Sequence, residues 1–321
     1  MTAPAATDKP ARLPRKNLQG VLLLDKPLTW TSNDALQKAK GLLRAEKGGH
    51  TGTLDPLATG LLPLCFGAAT KFSQASLDAD KSYRATLRLG QRTSTGDREG
   101  AVLEERPVPS CPSDRALIDA ACAHFVGAQQ QTPPMHSALK HEGKALYEYA
   151  REGITIERRA RGVLIHHITV VSWHADELVI DVHCSKGTYI RTLAEDIGAH
   201  VGCGAHLSAL RRTGSGALTL ENAVTIEVLA TMSPAEREAL LLPPEVLVAG
   251  LPQVHLPDDE AGRFLCGLRR RVTLADADRV RVYRAAPDAH HTPAFLGTAH
   301  ITAGELIADR LLSPIEVQDH P

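Results

Sequence analysis

The chain has 321 residues and a formal net charge of −1 at pH 7, with 43% hydrophobic and 23% charged residues. This composition is typical of a globular protein with a substantial core and excludes an intrinsically disordered chain. Apolar runs such as residues 20–24 are far shorter than the roughly 20 residues that span a bilayer, and residues 1–19 lack the apolar segment of a secretory signal. We therefore expect a cytoplasmic protein with no membrane partner.

Cysteine spacing and charge distribution further limit the kinds of protein that this chain can be. The six cysteines lack the close spacings of a disulfide framework or a zinc site, so we expect free thiols. Residues 263–284 contain seven arginines and two acids, whereas residues 215–260 contain eight acids and one arginine. Because local charge governs polyanion binding more than net charge does, the near-neutral total does not exclude a nucleic acid.

Two elements are predicted near the start of the chain. Residues 20–24 form an apolar run that predicts a buried strand. The triplet Thr31-Ser32-Asn33 predicts the start of a helix. The apolar face of that helix would consist of Ala35, Leu36, Ala39, Leu42 and Leu43.

The glycine-rich segment GHTGTLDPLATG, residues 49–60, follows this helix and carries one carboxylate, Asp55. It is not a P-loop, because Gly60 is followed by leucine rather than by lysine and a hydroxyl residue. Pro56 favours an extended conformation of Asp55, which fixes the direction of its side chain. Such a carboxylate acts as a nucleophile or base, or it merely organises the loop as an Asx-turn. The spacing alone leaves both alternatives open.

Two half-buried strands are predicted further along, each with period-two alternation. The first contains Tyr83. This residue either has a functional role or is an ordinary aromatic residue of the core. The inward-facing residues would be Tyr83, Ala85, Leu87 and Leu89 in the first strand, and Leu178, Ile180, Val182 and Cys184 in the second.

A strand-to-helix junction is predicted at residues 186–189, because Ile190, Leu193 and Ile197 follow at helical spacing. Arg191 lies in the first turn of this helix, close to Tyr189. A cation placed there reaches into a cleft and pairs with an acid, or it lies on the surface. The sequence leaves this choice open as well.

The chain divides into three predicted regions. Residues 1–19 form a basic, disordered tail, residues 20–250 a main domain with an arm at about 127–161, and residues 251–315 a small β-rich domain. Strands and helices mix without a regular βαβ rhythm, and no dinucleotide fingerprint occurs. We therefore expect an α+β fold with a central mixed or antiparallel sheet.

Several familiar site chemistries are not expected. Neither HExxH nor GxSxG occurs, which argues against a zinc peptidase and a serine hydrolase. Cys203 and His206 supply two metal ligands at most. The histidines His166, His167, His174 and His183 fit no metal-binding spacing. We predict neither a metal nor a cofactor.

Four motifs resemble those of TruB-type tRNA pseudouridine synthases, and they occur in the same order. They are KGGHTGTLDPLATG at 47–60, DKSYRATLRLG at 80–90, CSKGTYIRTLAEDIG at 184–198 and CGAHLSALRRT at 203–213. With similar segments near residues 20–40 and 135–153, the resemblance extends over about residues 20–215. It implies a pseudouridine synthase catalytic domain at residues 20–250. Residues 251–315 resemble, less closely, the PUA RNA-binding domain of that family.

The resemblance implies catalytic roles for three residues. Asp55 matches the family's catalytic aspartate, and Arg191 matches the arginine that pairs with it. Tyr83 matches the tyrosine that stacks on the target base and is implicated in removing the proton from C5.

The resemblance also implies substrate-binding positions. Tyr189 and Leu210 match residues that line the uridine pocket, and His50 matches the histidine that fills the space left by the flipped nucleotide. We further expect basic side chains to contact the RNA backbone, although a solvated face of the small β-domain is the alternative. These side chains are Lys140 and Lys144 in the arm and Arg269, Arg270 and Arg271 in the C-terminal domain.

The family isomerises uridine 55 in the T-loop of tRNA by detaching the base, rotating it and rejoining it through C5, which needs no cofactor. The base must first be flipped out of the folded RNA. We therefore expect tRNA as the partner of a monomer without an obligate protein partner. A non-catalytic RNA-binding protein and a nucleoside glycosidase remain alternatives, although most glycosidases need a second carboxylate beside the bond.

Overall fold

The computed structural model describes residues 14–110, 113–286, 288 and 291–318. Residues 1–13 of the predicted tail lie outside the described residues, as does Cys111. The prediction of disorder is wrong for residues 14–19, which lie against the main domain. Lys16 forms a β-bridge with Ala45, and its ammonium group pairs with the carboxylate of Glu238.

The structure is an α+β fold, as predicted. Its strands are β1 (Gly20–Lys26), β2 (Gly48–His50), β3 (Ala58–Phe66), β4 (Lys81–Leu89), β5 (Gln91–Thr93), β6 (Val102–Glu105), β7 (Gly127–Gln131), β8 (Lys140–His141), β9 (Lys144–Ala145), β10 (Arg161–His174), β11 (Glu177–Cys184), β12 (Ala205–Ser215), β13 (Leu218–Thr219), β14 (Val224–Thr225), β15 (Gln253–Leu256), β16 (Arg270–Arg271), β17 (Ala277–Arg284), β18 (Ala294–Thr302) and β19 (Glu305–Leu311). Its helices are α1 (Ser32–Leu43), α2 (Ser73–Asp78), α3 (Arg115–His124), α4 (Leu146–Arg151), α5 (Ile190–Val201), α6 (Ile226–Thr231), α7 (Pro234–Ala239), α8 (Asp258–Leu265) and α9 (Pro314–Gln318), with 3₁₀ helices at Gly67–Phe72 and Pro244–Val248.

The central sheet of the described chain is mixed and has the strand order β14-β1-β3-β12-β4-β11-β10-β7. Two short strands extend it, since β2 pairs with β3 and β13 pairs with β12. The pairs β1–β14 and β3–β12 are parallel, and the remaining neighbours are antiparallel. The predicted buried strand is β1, and the predicted strand around Tyr83 is β4.

Helix α1 begins where the sequence predicts, because Thr31 and Asp34 form a capping box. The Thr31 hydroxyl accepts a hydrogen bond from the Asp34 N–H at 3.0 Å, and the Asp34 carboxylate accepts one from the Thr31 N–H at 3.1 Å. The helix ends at Leu43, and its C-cap residue Arg44 has a left-handed backbone conformation. The buried face of α1, including Leu36 and Leu43, packs on β1 and β3.

Helices cover one face of the sheet and enclose two hydrophobic clusters. One cluster lies under α3 and α5, and the other lies under α1 and α6. Tyr83 and Leu210 pack against both clusters. Their strands, β4 and β12, therefore mark the boundary between the two clusters.

The other face of the sheet is covered only in part. Around β1 and β3 this face packs on the C-terminal domain. Leu61 and Phe72 of the main domain belong to the same hydrophobic cluster as Val282 and Phe295 of the C-terminal domain. On β4 and β11 this face carries exposed ion pairs, such as that of Arg84 with Asp181. We refer to this exposed part of the sheet, on the side opposite the helices, as the outer face of the sheet.

The predicted arm at 127–161 needs a correction at both ends. Residues Gly127–Gln131 form β7, which pairs with β10 at the edge of the sheet, and residue 161 opposes residue 131 in that pairing. The segment that leaves the sheet is therefore 132–160, with the β8–β9 hairpin and α4. The polar sequence of β7 did not predict a strand, because backbone hydrogen bonds to β10 hold this segment at the sheet edge without an apolar alternation.

The C-terminal domain contains a five-stranded sheet of order β15-β17-β18-β19-β16, together with α8. Helix α9 follows β19 and extends to Gln318. Among the described helices, none is both long enough and apolar enough to cross a membrane.

Gly60 allows β3 to approach β12, and this contact supports the segment that carries Asp55. Its φ is +98°, and a Cβ atom there would lie 2.3 Å from the backbone oxygen of Arg212. We expect Gly60→Ala to lower the free energy of unfolding by about 2–3 kcal/mol, because the backbone must move. Chemical denaturation measures this change.

Gly41→Ala is the matched control, because a Cβ atom at this helical position meets nothing within 4 Å. We expect it to raise the free energy of unfolding by about 0.5–1 kcal/mol. Equal free energies of unfolding for the two variants would contradict the close approach at Gly60.

Candidate active site

The loop that carries Asp55 is held by its backbone. The Ser32 hydroxyl accepts a hydrogen bond from the Leu54 N–H at 2.8 Å and donates one to the Leu54 carbonyl at 3.1 Å. The Asp55 carbonyl accepts a hydrogen bond from the Ala58 N–H at 2.9 Å. Within the described chain, the Asp55 carboxylate accepts no hydrogen bond from a backbone N–H of this loop. This geometry does not fit an Asx-turn, and the side chain is free to serve the cavity beside it.

Arg191 holds the Asp55 carboxylate, and four oxygen atoms surround its guanidinium group. Nη2 lies 2.9 Å from Asp55 Oδ2 and donates to the His136 carbonyl at 2.6 Å. Nη1 lies 3.6 Å from Asp97 Oδ2 and donates to the Thr95 carbonyl at 3.4 Å. The Arg191 side chain is 7% exposed, whereas that of Asp55 is 44% exposed. The cation is thus buried behind a carboxylate that remains accessible.

Asp97 is a site residue that the sequence did not reveal. Its carboxylate accepts hydrogen bonds from the Thr95 hydroxyl at 2.5 Å and from the Glu99 N–H at 3.1 Å, and its side chain is 7% exposed. In the sequence it lies within STGDREG, which is typical of an ordinary surface turn. No spacing signal separates it from a turn residue, because its partner Arg191 lies far along the chain.

A cavity of about 170 Å³ lies beside this ion pair. Its lining includes Asp55, Tyr83, Tyr189, Arg191 and Leu210. Strand β12 brings three segments together, since Leu210 opposes Ala58 of β3 and Ala85 of β4. The structure therefore places these five predicted residues at one site.

Gln131 fixes the position of Tyr189 and was also absent from the sequence prediction. The Tyr189 N–H donates to Gln131 Oε1 at 3.0 Å, and Gln131 Nε2 donates to the Tyr189 carbonyl at 3.4 Å. Gln131 is buried at the end of β7. The sheet edge thereby anchors the residue that precedes α5.

Arg212 is a buried cation that opposes Tyr83 in the pairing of β12 with β4. Its Nε donates to the Leu61 carbonyl at 2.7 Å, and its Nη2 donates to the Gly52 carbonyl at 3.3 Å. Arg212 is 1% exposed, and it has no ion pair with a described residue. Burial lowers the pKa of Arg212, while its interaction with the Tyr83 hydroxyl opposes that change.

Tyr83 is half-buried between the two hydrophobic clusters. Burial raises the pKa of its phenol, and the nearby charge of Arg212 partly offsets that effect. The phenol is therefore protonated at neutral pH. Arg212 lies where it would stabilise the phenolate.

His50 lines a second, wider cavity that adjoins the first. This outer cavity has a volume of about 530 Å³ and shares Asp55 and Arg191 with the inner one. Burial lowers the pKa of His50, and the charge of Arg212 lowers it further, so the ring is neutral at pH 7. Arm residues Tyr147 and Arg151 line the same outer cavity. The segment 132–160 thus forms one wall of the outer cavity.

The predicted backbone-contacting residues lie outside the described linings of both cavities. Lys140 is exposed on β8, while Lys144 pairs with Glu152 within the arm at 2.5 Å. In the C-terminal domain, Arg269 pairs with Glu305 at 3.1 Å and Arg270 with Glu260 at 2.6 Å, and Arg271 is exposed. The structure does not bring these five residues into the candidate active site.

The arrangement presents one accessible carboxylate to the inner cavity. Asp55 is the acid among the described residues that line the inner cavity. Asp97 is absent from the described lining of the inner cavity, and only 7% of its side chain is exposed. This geometry disfavours the glycosidase alternative, because most such enzymes use two accessible carboxylates beside the bond.

Family models match residues 40–249 and 252–312. Residues 40–190 match the N-terminal domain of TruB family pseudouridylate synthases, and residues 191–249 match the C-terminal domain of tRNA pseudouridylate synthase B. Residues 252–312 match the C-terminal domain of TruB pseudouridine synthase II.

Similar proteins include tRNA pseudouridine synthase B of Verminephrobacter eiseniae, which is 55% identical over 95% of this chain and 92% of its own length. The Ralstonia pickettii protein of the same name is 55% identical over 95% of this chain and 97% of its own length.

Among solved structures, a Cbf5 chain in a Cbf5-Nop10-Gar1 complex aligns with a TM-score of 0.71 and 25% identity, over 93% of this chain and 86% of that one. The archaeal Nop10-Cbf5 complex contains the same fold, with a TM-score of 0.70 at 22% identity, over 94% of this chain and 88% of that one. Family models that cover three consecutive segments, together with relatives that are more than half identical, show that this chain belongs to the TruB family of pseudouridine synthases.

Proposed function

We propose that the protein converts uridine to pseudouridine in tRNA, at position 55 of the T-loop, with Asp55 as the catalytic carboxylate. The observation that carries this proposal is the ion pair of Asp55 with Arg191 at the edge of an aromatic-lined cavity. The relatives named tRNA pseudouridine synthase B support tRNA as the substrate.

The inner cavity suits a single pyrimidine ring. Its volume of about 170 Å³ is close to that of an engineered cavity of about 150 Å³ that binds benzene. A uridine must leave the stacked RNA to enter it, at a cost of a few kcal/mol. Stacking on an aromatic side chain such as Tyr83 returns roughly 1–3 kcal/mol. A base already exposed in an RNA loop is therefore favoured over one in a duplex.

The outer cavity accommodates the RNA around the flipped nucleotide. His50 presents a neutral ring there, because burial and Arg212 both lower its pKa. A neutral aromatic ring occupies the space of the missing base without adding a charge. We therefore assign His50 to the opened RNA and Tyr83 to the extruded base.

The chemistry requires one nucleophile and one proton acceptor. Asp55 begins the step in which the bond between uracil N1 and ribose C1′ breaks, and the rotated base then forms a bond from C5 to C1′. The proton that leaves C5 balances the proton gained at N1, so no atom is added or lost overall. Arg191 orients the carboxylate. The Tyr83 phenol first releases its proton to solvent, and the nearby charge of Arg212 stabilises the resulting phenolate. The phenolate then accepts the C5 proton and returns to the phenol, while N1 takes its proton from solvent.

We expect Asp55→Asn to abolish isomerisation, with a loss on the order of a thousandfold or more, because the amide cannot act as the nucleophile. Tritium release from tRNA labelled at uridine C5 measures turnover, and filter binding measures tRNA affinity. Affinity should stay within a few-fold of wild type, because the side chain keeps its size and place.

The matched control is Asp181→Asn, which removes a carboxylate that pairs with Arg84 on the outer face of the sheet. This variant should turn over normally. Wild-type turnover by Asp55→Asn would refute the catalytic role. Release of free uracil from the tRNA by the unaltered protein would show a glycosidase instead.

We also propose that the C-terminal arginines hold the tRNA backbone. Arg271 is exposed and has no ion pair with a described residue, and Arg269 has 66% of its side chain exposed despite its contact with Glu305. Arg270 is less suited to contact RNA, because only 18% of its side chain is exposed and it forms an ion pair with Glu260. The charge available for RNA is therefore on Arg269 and Arg271.

The double variant Arg269→Ala/Arg271→Ala should bind tRNA several-fold more weakly. The slope of log affinity against log salt should fall by about one to two, because each phosphate contact contributes about 0.7–0.9. The measurement is a salt titration of tRNA binding. Arg84→Ala/Arg88→Ala removes the same charge from the outer face and should leave the slope unchanged. If both double variants give the wild-type slope, the C-terminal domain does not contribute to affinity in this way.

A further inference from the structure

A cluster of metal-ligand side chains lies on the outer face of the central sheet and takes no part in the proposed mechanism. It consists of Asp80, His166 and His183, whose ligand atoms all lie within 4.8 Å of one another. His166 and His183 are exposed, and Asp80 is partly exposed. The cluster is therefore accessible to an ion from solvent.

Strand pairing creates this cluster from distant segments. Strands β4, β11 and β10 are neighbours in the sheet. Ile165 opposes Cys184 and His167 opposes His183, so His166 is the extra residue of a β-bulge. A bulge redirects the side chain of its extra residue. Here the result is that the His166 ring lies 4.9 Å from the His183 ring, measured between centroids.

The three ligand groups are already close to one another. His166 Nε2 lies 3.0 Å from Asp80 Oδ2, and the planes of the two imidazoles differ by 33°. Tetrahedral zinc with bonds of about 2.0–2.2 Å places its ligand atoms roughly 3.3 Å apart. Small side-chain rotations therefore suffice to bring the three atoms to that separation.

A fourth residue orients one of the ligands. The Ser82 hydroxyl lies 3.0 Å from Nδ1 of His183, within hydrogen-bond distance. Since Nδ1 is engaged, Nε2 of His183 is the nitrogen left for an ion. Hydrogen bonds to the second ring nitrogen are a regular feature of metal-binding histidines.

We propose that Asp80, His166 and His183 bind a divalent transition-metal ion of the zinc and copper group, with water in the remaining coordination position. Two imidazoles and one carboxylate suit these ions, whereas magnesium and calcium prefer sites made of oxygen ligands. The ion ties the beginning of β4 to the bulge of β10 and to the end of β11. The bound ion therefore clamps these three segments together on the outer face of the sheet, away from the uridine site.

The sequence predicted no metal site because these ligands share no local motif. His166 and His183 are separated by 17 positions and Asp80 precedes them by more than 80, so only the strand register brings them together. The bulge at His166 has no signature in the sequence.

Titration of the untagged protein with Zn²⁺ by calorimetry, and with Co²⁺ by visible absorption, tests the proposal. We expect one equivalent to bind, with Co²⁺ developing the absorption bands of a site with nitrogen and oxygen ligands. His166→Ala and His183→Ala should each weaken binding at least tenfold, because each removes one of three ligands. His174→Ala, which removes an exposed histidine elsewhere on β10, should bind as the wild type does.

Thermal unfolding with and without Zn²⁺ tests the clamp. The midpoint should rise with Zn²⁺ for the wild type and for His174→Ala, and it should not rise for His166→Ala or His183→Ala, since ligands that bind the native state stabilise it. Circular dichroism checks that all variants fold. Equal Zn²⁺ affinity in the four proteins, or no binding by the wild type, would overturn the proposal.

Discussion

The buried charge of Arg191 is the constraint on which the site depends. A cation with 7% of its side chain exposed must be compensated by nearby oxygens, and breaking a pair buried on both sides, such as that with Asp97, costs roughly 3–5 kcal/mol. The compensating oxygens come from the Asp55 loop, from the turn at residues 95–97 and from the arm at His136. Arg191 therefore joins three segments to the start of α5. Placing Asp55 at the cavity is one result of this single interaction.

The sheet supplies the other wall of the site. Strand β12 lies between β3 and β4, so it places Leu210 beside the Asp55 loop and Arg212 beside Tyr83. This arrangement requires the close approach of Gly60 to the backbone of Arg212. The cavity forms where the two hydrophobic clusters meet, because Tyr83 and Leu210 contact both. The sheet thus holds Tyr83 and Leu210 beside the charged pair of Asp55 and Arg191.

Local patterns revealed the elements, and the motifs revealed part of the site. The capping box at Thr31 and the alternation around Tyr83 predicted α1 and β4, since their signals lie within a few residues. Asp97, Gln131 and Arg212 escaped prediction because each acts through a partner about 50 to 150 positions away. Strand β7 was assigned to the arm because an edge strand held by backbone hydrogen bonds needs no apolar alternation. The cluster of Asp80, His166 and His183 also escaped prediction, because its geometry depends on strand register and on a β-bulge that has no sequence signature.

The central claim is that Asp97 and Arg191 hold the carboxylate of Asp55 in a reactive position. The rate of a single turnover in Asp97→Asn, compared with its tRNA affinity, tests this claim most directly. The rate should fall on the order of 10- to 100-fold, because a small displacement of the reacting group carries such a penalty. Affinity should stay within about twofold, since only 7% of the Asp97 side chain is exposed where it lines the outer cavity. A single-turnover rate equal to that of wild type, in a variant with an unchanged melting temperature, would contradict the account.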